Sequence, residues 1–271
     1  MATDLDLLRR IDAYLDGVPR TSARAEEVGP FTLFVSEGTG WPFYARPTPG
    51  TEAFTGEDVR AVRERQRELG QPEAIEWIVD VSPGVRPAAS RAGMGVTEHP
   101  LMHLARRDFR PVLLPPIAQV RIASPQDDVA TLHAVAALGF GAPGTEAGEL
   151  GPELVPAAAA EIDEGLASFT GRRMAAELTV TAVATVDGRP VAVGSHNPLG
   201  DATEVVGVAT LPTFRRRGLG GAVTSALVED ALARGIATVF LSAGDEAIAR
   251  VYGGLGFRTI GAAGAAEPAG G

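Results

Sequence analysis

The sequence has no cysteine and no lysine; all 24 of its basic side chains are arginine. The first absence excludes disulfides, thiolate nucleophiles and zinc held by cysteine. The second excludes Schiff-base and lysine-nucleophile chemistry. Histidine is scarce, limited to His99, His103, His133 and His196. Only His99 and His103 stand at i, i+4, and EHPLMHL around them reads as a strand, so no metal is expected. No run of about 18 apolar residues offers a membrane-spanning helix. MATDLDLLRR, with acids ahead of its apolar residues, reads as an amphipathic helix and not as a signal peptide. Positive charge is also short: the formal net charge of −10 weighs against nonspecific nucleic-acid binding, whose affinity comes from neutralising phosphates. These absences lead to an expectation of a cytoplasmic protein with no membrane and no nucleic-acid partner.

What is present is a chain of 271 residues, 45% hydrophobic and 21% charged, enough for a real core. DFRPVLLPP (108–116) concentrates prolines and reads as a linker. It divides the chain into an expected N-terminal α/β domain, 1–112, and a C-terminal domain, 113–271. In the second, IAQVRIAS (117–124) reads as a strand and DVATLHAVAALGFG as a helix. LTVTAVATV (178–186) and RPVAVGSH (189–196) flank Asp187-Gly188, a hairpin signal. EVVGVATL (204–211) and TVFLSAG (238–244) read as apolar strands. Leu219, Val223, Leu227 and Ala231 mark one helix face. DEAIARVYGGLG (245–256) reads as a short helix, FRTIG as the start of a strand, and GAAEPAGG as a frayed tail. Residues 139–176 carry no decisive motif and are expected to be loop.

The N-terminal half is less regular. FTLFVSE and WPFYARP suggest two strands around Gly38-Thr39-Gly40. Thr55 and Asp58 cap a helix that stops at Gly70. IEWIVDV (75–81) and EHPLMHL (98–104) read as strands. The order β-β-α-β-(α)-β echoes the second half without its glycine-rich turn and suggests a degenerate copy. Trp41, Tyr44 and Trp77 are expected in its core.

The sharpest local feature is VVGVATLPTFRRRGLGGAV (205–223), which sets three arginines in an acidic chain against a glycine-rich helix start. The first turn of a helix offers amides without intrahelical partners and a positive dipole end. Arginines add charge, and glycines allow close approach. The combination suits a pyrophosphate. It is not a P-loop, and Val223 stands where a dinucleotide fingerprint needs its third glycine.

Arg215-Arg216-Arg217-Gly218-Leu219-Gly220, with VATLPTF before it, resembles the Gln/Arg-x-x-Gly-x-Gly/Ala signature of the Gcn5-related N-acetyltransferases. Tyr252-Gly253-Gly254-Leu255-Gly256-Phe257 resembles that family's second mark, Tyr-x-x-Leu-Gly-Phe. The resemblance covers 117 to about 260. It implies an α/β fold of the α+β kind: a mixed, mostly antiparallel splayed sheet flanked by helices, beside a smaller N-terminal α/β domain. It also implies acetyl-CoA as cosubstrate, no metal, and a small-molecule amine as acceptor, with a homodimer as one assembly option.

Carried over residue by residue, the resemblance implies that Val208, Ala209 and Thr210 pair with the pantetheine arm. Arg215, Arg216, Arg217, Gly218, Leu219, Gly220 and Gly221 would hold the pyrophosphate. Tyr252 would be the general acid. Glu204, eleven positions before Arg215, would be the base unless water suffices. Asp245 stands where many relatives carry an arm-contacting Asn; as Asp it can equally cap the helix that follows. Ser242 would line the cleft, while His196, a lone histidine, reads first as structural. Relatives end on a further strand that this chain lacks in sequence, and the N-terminal half is expected to cover that edge. The rival readings are a CoA-binding module without transfer and a protein N-acetyltransferase.

Overall fold

A computed structural model describes residues 2–36, 43–114, 116–124, 126–142 and 144–269. Gly38-Thr39-Gly40 and Trp41 lie outside these. In chain order the elements are α1 (Ala2–Gly17), β1 (Ala23–Val28), β2 (Phe31–Ser36), β3 (Arg46–Pro47), α2 (Gly56–Glu68), β4 (Ile75–Ile78), α3 (Val85–Arg91) and β5 (Met94–Leu104). They continue with β6 (Ala118–Ile122), α4 (Val129–Gly141), α5 (Val155–Ala160), α6 (Glu164–Ala175), β7 (Val180–Val186), β8 (Arg189–Leu199) and β9 (Ala202–Thr210). The last four are α7 (Leu219–Ala233), β10 (Thr238–Ser242), α8 (Glu246–Gly254) and β11 (Arg258–Pro268).

The chain forms two compact units that follow no single cut. One comprises Met1–Met102, Ser242–Glu246 and Thr259–Gly271; the other comprises His103–Leu241 and Ala247–Arg258. Against the expected division at 112/113, most of the final strand belongs with the N-terminal residues.

In the N-terminal unit β1, β2 and β3 form an antiparallel sheet, and β11 lies between β4 and β5 in a second. β11 runs antiparallel to β4, with Gly264 opposite Trp77. Of the expected frayed tail, residues 264–268 are therefore strand. Its sequence hides this because the position opposite Trp77 has no room for a side chain: a Cβ on Gly264 would overlap the indole. A strand of Gly and Ala fits under that ring and shows no apolar alternation. Phe31, Leu33, Val59, Val62, Ile75 and Trp77 centre the core of this unit. Thr55 caps α2 with the reciprocal Thr55–Asp58 bonds expected from the sequence.

In the C-terminal unit β6, β7, β8 and β9 are successive antiparallel neighbours, and β10 joins β9 in parallel. Asp187 and Gly188 both take positive φ, 49° and 74°, the requirement of a type I′ hairpin. α7 packs on β6 to β9, and α4 on β8 and β9. Gly194 lets α7 approach: a Cβ there would stand 3.0 Å from both Val208 and Val223. The stretch expected to be loop, 139–176, in fact carries α5 and α6. Asp163 caps α6 by accepting from the Leu166 amide; the Ala-rich 155–160 run lacked the periodicity that would have revealed a helix.

Candidate functional site

The site is built where two strands stop pairing. β10 matches β9 at only three positions, Ala202, Thr203 and Glu204, the last opposite Phe240. Both strands then continue, β9 to Thr210 and β10 to Ser242. The cause lies one step further on. Val193 pairs with Ala209 and Ser195 with Val206, so Gly207 and Val208 together face the single residue Gly194. Gly207 has φ +63°, a left-handed residue at a bulge, which bends and twists its strand. A glycine inside a strand pattern is the sequence signal for such a bulge.

Thr210 leads through the turn Pro212–Phe214 to the arginines and then to α7. The helix is entered by Gly218 at φ +77°, after Arg216 at φ +61°. A left-handed arginine costs about 1 kcal/mol or more. The first ladder bond of α7 is Ala222 N–H to Gly218 O, 2.9 Å, so the amides of residues 219–221 face out of the helix end. A Cβ on Gly220 would lie 3.5 Å from Thr210 Oγ1 and 3.8 Å from Val208 Cγ1. That contact joins two predicted parts of the site, the end of β9 and the glycine turn.

The three arginines divide in role. Arg215 donates to the carbonyls of Gly139 (2.7 Å), Ala142 (2.6 Å), Glu146 (3.2 Å) and Thr210 (3.4 Å). Its guanidinium clamps the C-terminal end of α4 to the end of β9. Four carbonyls occupy most of the donors of its fork, while its positive charge stays at the turn. Arg216 is exposed and meets Glu146 at 3.1 Å, a surface pair worth about 0–1 kcal/mol. Arg217 lies over the Phe214 ring, 4.8 Å from its centre. Gly221 is also explained by packing: a Cβ there would meet Val112 at 2.9 Å, and Val112 N–H donates to Ser225 Oγ at 2.9 Å.

Glu204 is half-buried at the last paired position, between Asn197 on β8 and Phe240 on β10. Tyr252, on α8, is half-buried and edge-on to Phe257, 6.0 Å between ring centres. Burial pushes its phenol up to about 12, so it keeps its proton throughout the neutral range. The rest of YGGLGF shapes the end of α8: Leu255 and Phe257 are buried, and a Cβ on Gly256 would overlap the Asp108 carbonyl. Asp245 and Ser242 are exposed, Asp245 immediately before α8. His196 is fully buried between Thr203 (2.9 Å) and Asp230 (3.0 Å). Burial holds its imidazole below the usual range against the pull of Asp230. That is a structural histidine, as its isolation in the sequence suggested. Among the described residues no group of three or more His, Cys, Asp or Glu is placed to hold a metal, and no helix is long and apolar enough to cross a membrane.

Residues 196–264 match the family model described as FR47-like protein. No curated protein matches the chain in sequence. A GCN5-related N-acetyltransferase from Kribbella flavida superposes with a TM-score of 0.71 at 21% identity, over 97% of this chain and 96% of its own. A second, from Sphaerobacter thermophilus, gives 0.60 at 15% identity, over 89% and 81%. A tandem GNAT protein from the clavulanic acid biosynthesis pathway gives 0.55 at 14%, over 89% and 79%. The likeness takes in both halves of the chain and not only the motif-bearing one.

Proposed function

We propose that this chain, which has the fold of the Gcn5-related N-acetyltransferases, moves an acetyl group from acetyl-CoA to the amine of a small molecule by direct attack while both are bound. One observation carries the reading. The β9 edge beyond Glu204 and the glycine-lined start of α7 meet at Gly220, giving an extended backbone edge next to a helix N-terminus. The first suits an amide-bearing arm; the second suits a diphosphate. Gly218 and Gly220 place no side chain in front of the amides, so the residues fit the group.

Acetyl-CoA supplies the activated acetyl thioester. In this reading the amides of 216–221 receive its diphosphate, with Arg216 and Arg217 adding charge from the exposed side of the turn. The backbone of Val208, Ala209 and Thr210 aligns its arm, and Asp245 contacts the arm or caps α8. Tyr252 holds a proton for the departing sulfur; its buried phenol is protonated at any working pH, as an acid requires. Glu204 takes the proton of the attacking amine, directly or through water. The net charge of −10 favours approach of a cationic acceptor. The reaction belongs in the cytoplasm.

The test is release of free thiol from acetyl-CoA against a panel of small amines. With no cysteine in the chain, the thiol reagent has no protein background. Amine-dependent thiol release is expected. Release no faster than without amine, across the panel, would contradict transfer.

A further inference from the structure

The N-terminal unit holds a cleft of about 280 Å³, to which Tyr44, Glu76, Thr97, His99 and Glu267 contribute polar side chains. Its described lining residues all belong to that unit. A parallel bridge between Ala45 and Ile75 brings Tyr44 alongside β4, fixed by Glu76 N–H donating to Ala45 O at 2.9 Å. The β4–β11 register sets Ala265 opposite Glu76 and Ala266 opposite Ile75, so Glu267 follows at the same end. β5 contributes Thr97 and His99.

These groups are dominated by acceptors. An ionised carboxylate only accepts. His99 Nδ1 lies 2.9 Å from Gly244 O; a carbonyl cannot donate, so Nδ1 carries a proton and donates it there. The hydroxyls of Tyr44 and Thr97 serve either way. Among the described residues no arginine lines the cleft. The guanidinium that approaches Glu76, that of Arg46 at 3.6 Å, is buried and shared with Asp12 at 3.2 Å. Burial, with Glu267 as a second negative neighbour, holds the Glu76 carboxyl above its usual range despite Arg46 and His99. Burial, Glu76 and Glu267 do the same to the Tyr44 phenol. The walls thus bring two carboxyl groups and further lone pairs around a small space beside Ala265.

We propose that this cleft binds a small organic cation through its protonated amine, which donates to Glu76 and Glu267 while its carbon chain lies on Ala265. An ammonium supplies three donors and the missing charge, whereas an anion would face two carboxylates. The volume falls near the lower limit of about 300 Å³ for small-molecule sites, which suits a short-chain amine. The site shares no residue with the acetyl-transfer reading and does not depend on it.

The experiment is calorimetric titration of the full chain with 1,4-diaminobutane, with n-butanol and butyrate as the neutral and anionic counterparts. It is repeated on Glu267→Gln, Glu76→Gln and Tyr44→Phe, each checked by thermal melting. Saturable binding of the diamine alone is expected, weakened about tenfold or more by either glutamate substitution, as loss of a charged hydrogen bond implies. Glu267 is exposed, so its variant carries the test even if Glu76→Gln, beside buried Arg46, fails to fold. No saturable binding at millimolar diamine, equal binding of butyrate, or full affinity in Glu267→Gln would overturn the proposal. An acetyl-CoA titration of the same samples separates the two readings: normal CoA binding without diamine binding defeats this one alone.

Discussion

At the scale of single residues, the arginines of the turn divide between one that holds the fold and two that are proposed to meet a ligand. Arg215 binds four carbonyls, so Arg215→Ala should lower the melting temperature through the loss of about 2 kcal/mol and weaken CoA binding less than the double change at Arg216 and Arg217. Those two are exposed and engaged only at the surface, so their replacement by Ala should weaken CoA binding with the melt unchanged; calorimetry beside thermal melting checks both. Tyr252→Phe should lower turnover and leave CoA affinity near its starting value, and unaffected turnover would remove it as the acid. The same phenol gives a pH prediction. Its folded value, about 12, lies above the unfolded 10, so the unfolded state ionises first. Its contribution is full below pH 10 and is lost as pH rises through 12. Alkaline unfolding of Tyr252→Phe should therefore be less steep over that window than in the unchanged chain.

At the scale of elements, what the sequence made legible follows from periodicity and caps. The hairpin at Asp187-Gly188, the Thr55–Asp58 capping box and the apolar face of α7 each leave a local pattern, and each is found where expected. β11 left none, because the position opposite Trp77 must be Gly and the Ala residues around it show no apolar alternation. The bulge at Gly207 left a trace, a lone glycine in a Val-rich strand, whose meaning depends on the register of its neighbour. The cleft of the N-terminal unit left no trace at all: Tyr44, Glu76, His99 and Glu267 are scattered in sequence and gathered only by strand pairing. A test at this scale is His196, which ties β8 to Thr203 on β9 and Asp230 on α7. Its folded value is lowered by burial, so the unfolded chain protonates first and stability falls as pH drops below about 6.5. His196→Asn should cost about 1–3 kcal/mol at neutral pH and flatten that acid dependence in denaturant titrations.

At the scale of the molecule, the end of the chain completes a sheet built from its beginning. Residues from Thr259 on belong with the N-terminal unit, and β11 covers Trp77. Removing residues 259–271 should red-shift tryptophan emission and destabilise the N-terminal unit; an unshifted spectrum would contradict the pairing. The placement of the cosubstrate at the meeting of β9 and α7 is the central claim, and acetyl-CoA calorimetry on the unchanged chain and on Gly220→Val tests it most directly. A valine at 220 adds two methyls beyond a Cβ already 3.5 Å from Thr210, closing the space between strand edge and helix start. Saturable one-site binding is expected, and Gly220→Val should lose it while its melt stays cooperative. No binding at millimolar acetyl-CoA, or equal binding by the variant, would contradict it.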